Sequence, residues 1–198
     1  MDNIWHTVVW KQFGAAIDML DNAVMACPDA LWRQPVWHDP SVPPQRTEFW
    51  YITYHALFWL DLYLFGSEEG FVTPAPFTMT EMDDSTDSLP SQPYSREELR
   101  AYLASLRQQC RSVIETMTDE QAHRPVNFPW MEAGEAVSYA ELQVYSLRHI
   151  QEHAAQLSLM LGQHGVPGDQ IDWVARAREN QESGGDDGWR PEQSATPR

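Results

Sequence analysis

His149 and His153 stand four residues apart in LRHIQEHAAQL (147–157), a stretch whose other residues favour helix. At that spacing two imidazoles share one helix face and come within reach of one ion. With seven histidines in 198 residues, about 0.25 such pairs arise by chance, so the pair alone is a weak signal. A third histidine, His55, sits in the middle of FWYITYHALFWLDLYLF (49–65), where an unpaired imidazole is costly to bury. Two chemistries satisfy such a ring: a hydrogen bond to a carbonyl or a tyrosine, or coordination to a metal. If the two segments are neighbours, the three imidazoles converge, and one divalent ion satisfies all of them together. Three neutral ligands leave coordination positions open and leave the ion its full charge, which lowers the pKa of a bound water or thiol. Glu48, Glu152 and Tyr145 are candidates to orient these ligands; each also reads as a rim or surface residue.

Four long helical segments must position these side chains, with almost no strand signal beside them. The first runs from about Ile4 to Ala26, where Pro28 ends it. The second starts near Thr47 and ends at Gly66; it is apolar nearly all round and should be the most buried. The third follows a Ser95/Glu98 capping box, and Leu99, Tyr102, Leu103, Leu106, Cys110, Val113, Ile114 and Met117 recur at helical steps. The fourth starts with the same signature, Ser138 and Glu141, and stops near Gly162. PDALWRQPV after the first segment echoes TDEQAHRPV after the third, so Asp29, Pro35 and Val36 recur as Asp119, Pro125 and Val126. The echo suggests two related hairpins packed as a bundle. Residues 67–94, rich in proline and acids, form a long link that reads either as a mobile cover over the site or as a cap docked away from it. Its acids place it on the surface, yet Phe71, Val72, Phe77 and Met79 should dock. The bundle is expected over residues 1–167, followed by a polar, partly disordered tail over 168–198 in which Trp189 is the odd residue.

Composition narrows the function. A net charge of −16 with a single lysine, Lys11, argues against nucleic acid and against anionic membrane surfaces. No basic leader precedes an apolar run and no stretch of about 18 apolar residues occurs, so a cytoplasmic protein with no membrane span is expected. Cys27 and Cys110 read as buried thiols of a reducing compartment.

HIQEH also fits the H-x-x-E-H pattern of inverted zinc peptidases. Those need a further acidic ligand downstream, and only Glu179, Glu182 and Glu192 follow His153, all in the polar tail. Four helices with one histidine in the second and H-x-x-x-H late in the fourth instead resemble the DinB-like, or YfiT-like, metalloenzyme superfamily, over about residues 1–165. The resemblance implies an all-α four-helix bundle of up-down-down-up topology and a divalent ion, zinc or nickel, on His55, His149 and His153. It also implies a homodimer, and a transferase working with a low-molecular-weight thiol such as mycothiol or bacillithiol. The alternative is a non-catalytic bundle that is stabilised by its ion or binds a small ligand. An open coordination position favours the first, a site sealed by Trp59 or other aromatics the second.

Overall fold

A computed structural model of the protein describes residues 4–82, 88–128, 136–171 and 173–179. Four long helices dominate: α1 (Ile4–Ala26), α2 (Phe49–Phe65), α3 (Arg96–Thr116) and α5 (Tyr139–Gln163). A short α4 (Asp119–His123) follows α3, and two-residue strands β1 (Pro125–Val126) and β2 (Val137–Ser138) pair antiparallel before α5. The protein is therefore mostly helical, as its periodicities suggest. α1 packs against α3 and α5, and α2 packs against the same two.

The helix starts follow from local chemistry. Ser95 accepts from the Glu98 amide while the Glu98 carboxylate accepts from the Ser95 amide, which satisfies two otherwise orphaned donors at the head of α3. Thr118 and Gln121 form a second reciprocal box at α4. Ser138 caps α5 through the Glu141 amide. At the far end of α2, Gly66 takes a left-handed φ of 80°, and a Cβ there would lie 2.6 Å from Nη2 of Arg124. Only glycine fits that stop.

The repeat seen in the sequence has a structural counterpart. Pro35 bridges Glu48, the residue before α2, and Pro125 pairs with Ser138, the residue before α5. In each half a helix, a short helical turn and a small antiparallel pairing set the entry of the next long helix. Those two pairings orient the helices that carry the histidines.

Fourteen of the seventeen residues of α2 are buried, so its all-round apolarity reports its position. Along the α2–α5 seam, Tyr139 Oη donates to the Leu64 carbonyl, Gln143 Nε2 to the Tyr63 carbonyl, and His149 meets His55. The two helices thus run in opposite directions. Across α1 and α3, the buried Asp18 and Asp21 bind Arg107 and Arg100 at 2.7 and 2.8 Å, again in opposite chain order.

The link between α2 and α3 departs from its expected surface character at one acid. Glu81 is 8% exposed. Its carboxylate accepts from Tyr54 at 2.9 Å, from Tyr94 at 2.7 Å and from the Thr78 amide at 3.2 Å. Three donors compensate the charge and pin the link. Phe77 stacks on Tyr54 and Tyr102, and Phe71 meets Phe58 and Phe65, while Val72 stays 81% exposed. Asp83, Asp84 and Asp87 lie outside the described residues. After Gly168 the chain still makes specific contacts: Ala177 N–H donates to the Lys11 carbonyl, and Arg178 N–H to Asp18. Trp189 lies outside the described residues.

Candidate metal centre

His55 is presented by α2, and His149 and His153 by successive turns of α5. Nε2 of His149 lies 3.3 Å from Nε2 of His55 and 3.0 Å from Nε2 of His153. The three ring nitrogens all lie within 4.8 Å of one another. The structure therefore brings together all three histidines singled out in the sequence. His6, His123 and His164 stay apart, the last two with Nδ1 against backbone carbonyls of their own helices.

The site is not sealed in the middle of the bundle. His153 is 8% exposed, and His55 and His149 are partly exposed at the seam between α2 and α5. Desolvation lowers the pKa of all three rings. It holds His55 well below the ordinary histidine value, helped by His153, His149 and Arg46. It pushes His149 down to about 3, helped by His153. At His153 the same burial is opposed by the Gln156 hydrogen bond and the charge of Glu152. Near neutral pH the cluster is three neutral imidazoles, the form that offers lone pairs.

The outer nitrogens decide where each lone pair points. His153 Nδ1–H donates to Oε1 of Gln156 at 2.9 Å, and Gln156 Nε2 donates to Glu152 at 3.4 Å. That relay fixes the His153 tautomer with a bare Nε2 facing the cluster. His55 is set the other way: the Trp59 indole N–H donates to its Nδ1 at 3.2 Å. The neutral ring then carries its proton on Nε2, and ligation through Nε2 requires the indole bond to be given up. His149 Nδ1 is buried with no hydrogen-bond partner among the described residues, and its ring stacks on Tyr145.

An ion with nitrogen ligands at about 2.0–2.1 Å in a tetrahedral arrangement separates those nitrogens by about 3.3 Å. The 3.0 and 3.3 Å separations from His149 lie near that edge, and the third pair lies within 4.8 Å. Without an ion the bare Nε2 of His153 faces His149 Nε2 at 3.0 Å while the Nε2–H of His55 faces the same atom. A His149 tautomer that suits one neighbour opposes the other. The donor set fits a divalent cation, at the expense of the Trp59 bond.

Of the candidate orienting residues, Tyr145 is in contact with the cluster and Glu152 acts at one remove, through Gln156. Glu48 is elsewhere: its carboxylate accepts from the Trp50 indole at 2.6 Å and pairs with Arg33. Glu152 is exposed and is not in the cluster, so a peptidase-like base is not in place. Gln156 and the indole of Trp59 were missed as partners of the histidines. Their signal was available, because they stand three and four residues from His153 and His55, where helical neighbours meet.

A family model described as the DinB superfamily matches residues 12–157, which span the cluster and most of the chain. No curated protein and no solved structure matches.

Proposed function

The chain belongs to the DinB superfamily, and we propose that it is a metal-dependent transferase acting with a low-molecular-weight thiol. His55, His149 and His153 are the proposed ligands, and zinc is the preferred ion, with nickel the next choice. The single observation that carries the reading is the convergence of three neutral imidazoles on a partly exposed seam, with Nε2 of His149 3.3 and 3.0 Å from those of His55 and His153. When bound there, the ion supplies Lewis acidity that lowers the pKa of a thiol and holds it beside an electrophile.

The protein's own residues supply the rest. Gln156, backed by Glu152, holds the His153 ring in its ligating tautomer, and the Tyr145 ring supports His149. No thiol of the chain competes for the role: Cys27 and Cys110 are free and buried, and burial pushes the Cys27 thiol up to about 12 and the Cys110 thiol higher than its ordinary value. The thiol must then come from outside. The partial exposure of His55 and His149 supports this reading over a closed, purely structural ion.

The opposed directions of α1 with α3 and of α2 with α5 support an up-down-down-up four-helix bundle over residues 1–167. We place the protein in the cytoplasm as a homodimer; among the described residues no helix is long and apolar enough to cross a membrane. A conjugation screen tests the activity. Zinc-loaded protein should accelerate displacement of chloride from monochlorobimane by the thiolate of mycothiol, bacillithiol or glutathione, and His153→Ala should not. Zinc binding without acceleration for any thiol would leave the non-catalytic bundle.

A further inference from the structure

The histidine cluster continues into an aromatic wall. Tyr145 lies one turn before His149, its ring inclined by 13° to the imidazole at 6.3 Å between centroids. Trp59 lies one turn after His55, at 6.1 Å. Tyr63 joins them, 5.6 Å from the rings of both Trp59 and Tyr145. Behind it stands Phe128, 5.5 Å from Tyr63. The back of this wall is closed and the front is open: Tyr63 is 3% exposed, whereas Tyr145 is 43% exposed and Trp59 is partly exposed. Arg148 holds its guanidinium 5.7 Å from the centre of the Tyr145 ring.

Resting on the reading that the histidines hold an ion, we infer that Trp59 and Tyr145 form a subsite for a flat aryl group of the small molecule that reaches that ion. Both rings adjoin ligands on the same seam, so a molecule bound to the ion through one end has them within a few ångströms of its other end. Rings of this kind present large, stiff contact area with little conformational entropy to lose. A guanidinium beside the tyrosine adds a second group that stacks on π surfaces and gains nothing comparable from a flexible alkyl chain. The inferred substrate class is therefore an aryl or otherwise planar conjugated molecule.

Cobalt-loaded protein and two simple thiols, benzyl mercaptan and propanethiol, separate the possibilities. Each thiol is titrated against the visible cobalt spectrum, and the ratio of their dissociation constants is read for each variant. Wild type should favour benzyl mercaptan, and Tyr145→Phe should keep that preference. Tyr145→Ala and Trp59→Leu should each cut the ratio about fivefold, the range of one aromatic contact, while propanethiol binding stays within about twofold. Taking ratios cancels the difference in thiol acidity and any change in cobalt affinity. A ratio unchanged in both Tyr145→Ala and Trp59→Leu, with cobalt still bound, overturns the subsite and leaves the metal reading standing. Failure of wild type to take up cobalt overturns the metal reading, and the subsite falls with it.

Discussion

At the scale of single residues, the hydrogen bonds of the histidine cluster compete with the ion we propose for it. The Trp59 indole stabilises the His55 tautomer that cannot ligate through Nε2. Trp59→Phe should therefore raise zinc affinity about two- to tenfold, the worth of one hydrogen bond, in a competition titration with a chromophoric chelator; weaker binding would contradict this role. The pH dependence of the metal-free protein follows from the same rings. Their folded pKa values are depressed, His149 to about 3, so below about pH 6.5 the unfolded chain takes up protons that the folded chain refuses. Stability is then complete above that pH and falls toward pH 3, by up to about 1.4 kcal/mol per pH unit for each ring. Thermal unfolding in chelator between pH 7 and 4 should show this decline, and His149→Leu should flatten it; equal slopes would contradict the assignment. The three histidines were legible because helical spacing and an apolar setting are properties of sequence. Their tautomers were not, since these depend on which side chain, Trp59 or Gln156, swings against which ring.

At the scale of elements, the link between α2 and α3 is anchored rather than loose where it is described. Glu81→Leu would remove the acceptor that the Tyr54 and Tyr94 hydroxyls share with the Thr78 amide, leaving the hydroxyls only the Thr78 carbonyl at 3.1 Å and the Pro76 carbonyl at 3.4 Å. It should destabilise the fold by about 2–4 kcal/mol in urea unfolding while leaving bound zinc at wild-type stoichiometry; a loss below 1 kcal/mol would show that the nest contributes little. Excision of residues 72–90, which the acidic composition makes look harmless, would remove Phe77 and Glu81 together and uncover Tyr54 and Tyr102. The four long helices could be read from hydrophobic period and caps to within a few residues. The buried carboxylate could not, because charge composition reports the average of a segment and not the one acid that finds three donors. The same holds for Asp18 and Asp21, which look like surface residues of α1 until Arg107 and Arg100 of α3 reach across to them.

At the scale of the whole molecule, the mostly helical fold and the family were legible because three histidines and two echoed helix-turn units are distributed over most of the chain. The docking of Ala177 and Arg178 on α1 was not, since the backbone N–H groups that donate to Lys11 and Asp18 carry no sequence signature and the Arg178 guanidinium that reaches Asn22 reads like any surface arginine. Light scattering at tens of micromolar should give twice the chain mass if the protein is a homodimer, and a single-chain mass would rule the dimer out. Metal content bears most directly on the cluster itself. Protein purified without chelator and dialysed against zinc should hold about one ion per chain by elemental analysis, as one three-nitrogen site requires. His55→Ala, His149→Ala and His153→Ala should each lose most of it, and His123→Ala should keep it. Stoichiometric zinc retained by His153→Ala, in a protein that remains folded, would contradict the site.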